Sequence, residues 1–93
     1  MLRRIGLLIA IVLVASPMAF AETAKGILLN DEEPWIVFTA GDVKYKVEWY
    51  GGSMLFWEGD LVLLTTTDGF GYMIGLTGLS KGKKARVWVE ELD

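Results

Sequence analysis

Residues 43–50 read VKYKVEWY, in which apolar side chains alternate with charged ones. The apolar members of the alternation are Val43, Tyr45, Val47 and Trp49. A period of two is typical of a β-strand that buries one face and exposes the other. We therefore predict a half-buried strand with these four side chains in the core and Tyr50 on the polar face.

The sequence before and after this strand predicts two β-hairpins, one of which contains the strand. Residues 35–40, WIVFTA, are rich in β-branched and aromatic side chains, and Gly41-Asp42 fits a two-residue turn that begins with glycine. Further along, LVLLTTT at 61–67 and FGYMIGL at 70–76 are joined by Asp68-Gly69, a preferred pair for a type I′ turn. The sequence therefore predicts two β-hairpins.

Two more strands are predicted near the ends of the region that follows residue 21. The first lies around residues 26–29, and the last covers 85–92, where Arg86, Trp88 and Glu90 share the face opposite to the apolar one. Short strands with turn signals about every ten residues, and no helical period, predict an all-β fold. We expect a five- to six-stranded antiparallel barrel, because closure removes exposed strand edges in so small a domain.

Three glycines, Gly69 in the predicted turn and Gly71 and Gly75 after it, resemble a nucleotide-binding fingerprint. That fingerprint requires a helix directly after the glycines, whose N-terminus faces the pyrophosphate. Here the glycines are followed by LTGLSKGKK, which is too short and too rich in glycine to form that helix. We interpret Gly71 and Gly75 instead as positions where a bulge or the close approach of another strand requires a missing side chain.

The N-terminal residues 1–21 have the pattern of a secretory signal peptide. Arg3 and Arg4 precede an apolar run, and Ala19-Phe20-Ala21 is a small-x-small cleavage site. The apolar run is too short to cross a bilayer, so we expect no stable membrane insertion after cleavage. The expected organisation is a signal peptide at 1–21 and one barrel domain at 22–93, in the periplasm or secreted.

The amino-acid composition limits the partners that the protein can bind and the reactions that it can catalyse. All 12 acidic residues but only seven of the nine basic ones follow residue 21, so residues 22–93 carry a net charge of −5. Nucleic acid and acidic lipid surfaces are therefore disfavoured as partners. The chain contains no His and no Cys, which removes most nucleophilic and metal chemistry, and we expect no enzyme activity, cofactor or metal. The acidic run Asp31-Glu32-Glu33 is a candidate Ca²⁺ site, although a solvated loop is the favoured interpretation.

Aromatic side chains offer the best candidates for a binding site. Tyr50 lies on the polar face of its strand, Trp57 falls in a connection, and Trp88 shares a face with charged residues. Exposed aromatics on a small barrel can bind a protein or a glycan of the cell envelope. The competing interpretation is that Trp57 closes one barrel end while Tyr50 and Trp88 cover each other. An alternative function is an assembly protein that pairs through an exposed edge strand, most plausibly the first or the last.

Several of these features resemble small bacterial barrels of the SH3-like and OB-fold types. They are Lys25-Gly26-x-Leu28, the turn at Gly41-Asp42, and FWEGDLVL at 56–63, which is similar to the entry into a middle strand in both families. OB-folds commonly have a helix where residues 51–57 leave room for at most two turns. The resemblance thus implies an SH3-like topology or an OB-fold with a degenerate helix. Either architecture hosts unrelated functions.

Overall fold

The structure is a computed structural model that describes residues 22–92; the predicted signal peptide lies outside the described residues. Six strands form a closed antiparallel barrel, as the sequence predicted. The strands are β1 (Glu22–Leu28), β2 (Trp35–Thr39), β3 (Lys44–Gly52), β4 (Leu61–Thr67), β5 (Phe70–Gly75) and β6 (Lys84–Leu92). The described residues contain one helical element, a single 3₁₀ turn at Gly78–Ser80.

The order of strands around the barrel is β1-β2-β3-β6-β5-β4, and β4 pairs with β1 to close it. Each strand is therefore antiparallel to two neighbours. Strands β4, β1, β2 and β3 are arranged as a Greek key, because β4 returns to lie beside β1 instead of β3. The vacant side of β3 is taken by β6, through a ladder that runs from Lys44 opposite Leu92 to Gly52 opposite Ala85.

This order places all three long connections at one end of the barrel, which we call the loop end. Residues 29–34, 53–60 and 76–83 lie there. The two short turns lie at the opposite end, together with Glu22 and Leu92. The loop end is closed by Phe56, whose ring contacts the Trp35 ring edge to face at 5.2 Å between centroids.

The core consists of alternate side chains that point into the barrel. Its members are Leu28, Trp35, Val37, Tyr45, Val47, Phe56, Val62, Leu64, Met73, Ala85, Val87 and Val89. The predicted alternation of β3 is confirmed at Tyr45 and Val47, and Val43 packs against the core from its edge. Burial of these apolar side chains is the main source of stability for the barrel.

The prediction that Trp49 is a core residue is wrong. The register of β3 against β6 shifts between Trp49 and Gly51, which marks a β-bulge. A bulge turns side chains away from the regular alternation, and Trp49 is 37% exposed, with its indole N–H donating to the Gly52 carbonyl at 3.2 Å. Gly51, the next buried residue of the strand, is covered by the Arg86 side chain instead of by the core.

The two predicted turns differ in outcome. Asp68 and Gly69 both have positive φ, 53° and 90°, and they join β4 to β5 as the predicted two-residue turn. The turn between β2 and β3 has three residues, not two, because the Thr39 N–H donates to the Val43 carbonyl at 2.9 Å. The residue with positive φ is Asp42, at 66°, as in hairpins that combine a type I turn with a left-handed residue.

Gly71 and Gly75 lie where the backbone is crowded, as predicted. A Cβ on Gly71 would collide with the Thr65 carbonyl oxygen of β4. A Cβ on Gly75 would collide with the Ser80 carbonyl oxygen at the loop end. The missing side chains therefore let β5 coil tightly against β4 and let the 3₁₀ turn pack against the strand.

Candidate functional site

The outer faces of β3, β6 and β5 form an open groove of about 430 Å³. We call it the aromatic groove, and it is lined by Tyr50, Phe70, Gly71, Tyr72, Arg86 and Val87. Tyr50 rises from the bulge in β3, while Phe70 and Tyr72 are successive outward residues of β5. Strand β6 runs between them and contributes Arg86, which lies opposite Tyr72 on β5 and Gly51 on β3.

The aromatic side chains of the groove are exposed yet in contact. Tyr50 is 57% exposed and Phe70 is 55% exposed, although their ring centroids are only 5.6 Å apart and the rings meet at 71°. Phe70 also contacts Trp88, at 4.6 Å and 66°. Edge-to-face contacts of this kind stabilise the orientation of each ring, so the groove walls are held in place without being buried.

The Arg86 guanidinium lies over the backbone of β3. A Cβ on Gly51 would come within 2.6 Å of its Nη2 atom, so the glycine leaves the space that the guanidinium occupies. Among residues 22–92 this side chain has no hydrogen bond or ion pair. A second cation stands nearby, since the Lys84 Nζ lies 4.1 Å above the centre of the Tyr72 ring.

The structure brings two of the three predicted site residues together. Among residues 22–92, the Tyr50 and Trp88 rings are not in contact with each other, but both contact the Phe70 ring. Trp88 is half-buried, and its indole N–H donates to the Glu90 carboxylate at 2.9 Å. It therefore supports Phe70 and borders the groove without lining it.

Trp57 lies apart from the groove, in the connection between β3 and β4 at the loop end. Its backbone N–H donates to the Ser80 hydroxyl at 2.8 Å, and its side chain is 38% exposed. The idea that Trp57 closes one barrel end is wrong, because Phe56, its neighbour, takes that position with 2% exposure. Trp57 and the exposed Leu79 of the 3₁₀ turn lie on this end of the barrel.

Sequence reasoning missed three residues of the groove: Phe70, Tyr72 and Arg86. Two sequence patterns pointed to these residues. Phe70 and Tyr72 flank Gly71 and therefore share one face of their strand, and Arg86 shares a face with Trp88. What was lacking was the order of strands. Only the placement of β6 between β3 and β5 brings Tyr50, Arg86 and Tyr72 onto one surface.

Within the described range, 22–92, no group of three or more acidic side chains is arranged to hold a metal ion. Asp31 and Glu32 are exposed, and the Glu33 carboxylate accepts the Trp49 N–H at 3.3 Å. The same part of the chain holds no helix with the length and apolar character that crossing a membrane requires.

Comparisons with known protein families, with curated proteins and with solved structures found no match for this chain.

Proposed function

We propose that residues 22–93 form a non-catalytic binding module of the cell envelope, whose partner docks on the aromatic groove. The observation that carries this proposal is the exposure of Tyr50, Phe70 and Tyr72 around Arg86, whose guanidinium has no partner among residues 22–92. Large exposed aromatic side chains that are held rigidly contribute contact area at little entropic cost. Aromatic and arginine side chains are also the residue types that dominate binding energy in protein interfaces.

The chemistry of the groove is that of recognition. The residues that line it offer aromatic rings, two phenol hydroxyls and a guanidinium, and they include no carboxylate and no Ser or Thr hydroxyl. The chain has no His and no Cys with which to complete a catalytic arrangement. A role without catalysis is therefore proposed, with a protein or a glycan as the partner.

The cellular location is proposed from the signal-peptide pattern of residues 1–21. Export predicts that the protein recovered from the periplasm or the medium begins at Glu22, which mass spectrometry of the exported chain measures. A chain found only in the cytoplasmic fraction would contradict this location, and an exported chain that retains residues 1–21 would contradict cleavage after Ala21. The finer resemblance to SH3-like or OB-fold barrels stays a proposal, supported by the closed barrel and by Gly59-Asp60 directly before β4.

The alternative function, assembly through an exposed edge strand, has less support. Strand β1 pairs with both β2 and β4, and β6 pairs with both β3 and β5. The ladder between β1 and β2 covers only residues 26–28 of β1, and the ladder between β5 and β6 covers only residues 84–88 of β6. A partner strand that extends beyond the short remaining edges would have to displace a ladder, at the cost of its hydrogen bonds. The groove is open without any such rearrangement, so it is the favoured contact surface.

The test is a two-dimensional amide NMR spectrum of the purified protein, titrated with fractions of envelope extract. We expect shifts at residues of β3, β5 and β6 around the groove, and at the Trp88 indole through Phe70. The double variant Tyr50→Ala, Phe70→Ala is expected to lose the response while keeping its melting temperature within a few degrees, because both side chains are more than half exposed.

Ile27→Ala is the matched control, since Ile27 is an apolar side chain of β1 with 44% exposure and β1 does not border the groove. It is expected to respond as the unaltered protein does. Shifts that follow Trp57 and Leu79 instead would move the site to the loop end. A spectrum that no fraction changes would overturn the proposed function.

A further inference from the structure

Resting on the proposed function, we infer that the aromatic groove binds a peptide segment in which an acidic side chain pairs with Arg86. An apolar side chain next to the acidic one would pack on the exposed surfaces of the Tyr50 and Phe70 rings. Three features of the groove lead to this ligand: its unpaired cation, the angles between its rings, and the pairing of the strands beneath it.

The first feature is the charge of the groove. Residues 22–93 have a net charge of −5, yet the groove centre carries Arg86 and its rim carries Lys84. No acidic side chain among the described residues pairs with the Arg86 guanidinium. A guanidinium prefers a carboxylate that it can bind through two parallel hydrogen bonds. A groove that keeps its arginine unpaired is therefore complementary to an acidic ligand.

The second feature is the set of ring orientations. Phe70 meets Tyr50 at 71° and Trp88 at 66°, so the rings stand as walls instead of forming one flat platform. A sugar ring stacks best on an open, flat aromatic face, whereas a compact side chain can pack into the corner that two rings in edge-to-face contact form. A volume of about 430 Å³ suits a few side chains of a peptide. These angles favour a peptide over a glycan.

The third feature is the sheet that forms the floor. Strands β5 and β6 are paired on both sides, so the ligand cannot add to the sheet as an extra strand. Backbone N–H groups used in these ladders are also not free to hold a terminal carboxylate. Recognition must come from side chains, which favours an acidic side chain within a segment over a chain terminus.

The test uses two peptides that differ in one charge, Ac-Phe-Glu-Gly-NH₂ and Ac-Phe-Gln-Gly-NH₂, titrated separately into the purified protein and followed by amide NMR. We expect the glutamate peptide to shift residues lining the groove and to bind about tenfold more tightly than the glutamine peptide, as a charge-assisted hydrogen bond implies. The preference should weaken with added salt, because the groove is open to solvent.

Arg86→Gln is expected to abolish the preference for the glutamate peptide, and Arg86→Lys to retain part of it, because lysine keeps the charge but not the planar fork. Lys81→Gln is the matched control, since Lys81 is an exposed cation of the connection 76–83 and does not line the groove. It should leave the preference unchanged. The melting temperature of each variant shows that the barrel is intact.

The outcomes separate this inference from the proposed function. Equal binding of both peptides in the groove would overturn the role of Arg86 while leaving the binding module in place. Binding of an N-acetylglucosamine oligosaccharide in the groove, with neither peptide bound, would overturn the peptide in favour of a glycan. If both peptides, the oligosaccharide and the envelope fractions all leave the groove resonances unmoved, both proposals fail together.

Discussion

The Ser80 hydroxyl donates a hydrogen bond of 2.7 Å to the Asp60 carboxylate, 20 residues away in the chain. The same hydroxyl accepts the Trp57 N–H at 2.8 Å, and the Asp60 carboxylate accepts the Ser80 N–H at 3.1 Å. Ser80 is fully buried. One small side chain therefore joins the connection between β3 and β4 to the 3₁₀ turn that follows β5.

Replacing Ser80 by alanine should lower the free energy of unfolding by about 1–3 kcal/mol, because the partly buried Trp57 N–H and Asp60 carboxylate both lose the hydroxyl as a partner. Urea unfolding followed by tryptophan fluorescence measures the change. Ser53→Ala is the control, since the Ser53 hydroxyl accepts only the exposed Leu55 N–H. Equal losses in the two variants would show that the buried network adds nothing.

Phe56→Ala should lower the free energy of unfolding by about 3–5 kcal/mol, because it opens a cavity beneath the loop end and removes the contact with Trp35. Trp57→Ala should cost less than about half as much, since the Trp57 side chain is partly exposed. The comparison tests which of two adjacent rings closes the barrel. A larger loss at Trp57 would contradict the assignment of Phe56 as the closing residue.

Gly71→Ala should destabilise the barrel by about 3 kcal/mol or more, because the added methyl group would collide with the Thr65 carbonyl oxygen and backbone cannot move aside cheaply. Gly41→Ala is the control, since the nearest atom to its Cβ would be the Val43 Cγ2 at 4.0 Å. Thermal unfolding measures both. A Gly71→Ala protein as stable as the control would mean that β5 coils less tightly against β4.

Asp42→Gly should raise the free energy of unfolding by about 0.5–1 kcal/mol, because Asp42 holds a positive φ of 66° that glycine adopts without strain. Ala40→Gly, in the same turn but without positive φ, should instead lower it by about 0.4–1 kcal/mol through the entropy of the unfolded chain. Opposite signs in the melting temperature are the expected result. Two changes of the same sign would contradict the three-residue turn.

Local patterns in the sequence account for much of the fold. The period of two at Tyr45 and Val47 predicted both the strand and its buried face, and Asp68-Gly69 predicted its turn type. Each pattern reports a preference of neighbouring residues, either alternate burial or backbone dihedrals, that does not depend on the rest of the barrel. Where a tertiary contact intervened, prediction failed, as at Trp49, which the bulge opposite Val87 moves out of the core.

The residues of the candidate site were also predictable only where local patterns determine their positions. Sequence alone indicated that Tyr50 and Trp88 lie on outward faces, and its alternation also placed Arg86 beside Trp88. It could not show that Phe70 contacts both of these rings, because this requires β5 to lie beside β6 and β6 beside β3. Nor could it separate Phe56 from Trp57 in an irregular connection, where no period tells the buried ring from the exposed one.

Alternation and turn residues in the sequence were enough to predict an all-β barrel and the approximate positions of its strands and turns. The tertiary structure alone decided that β6 crosses to β3, and therefore that Tyr50, Phe70, Tyr72 and Arg86 share a groove. The periodicity of a strand and the preferences of turn residues depend on residues that are close together in the chain, so they do not specify which strands become neighbours. The pairing of distant strands, such as β3 with β6 at Val47 opposite Val89, depends instead on the packing of the core and on closure of the entire barrel.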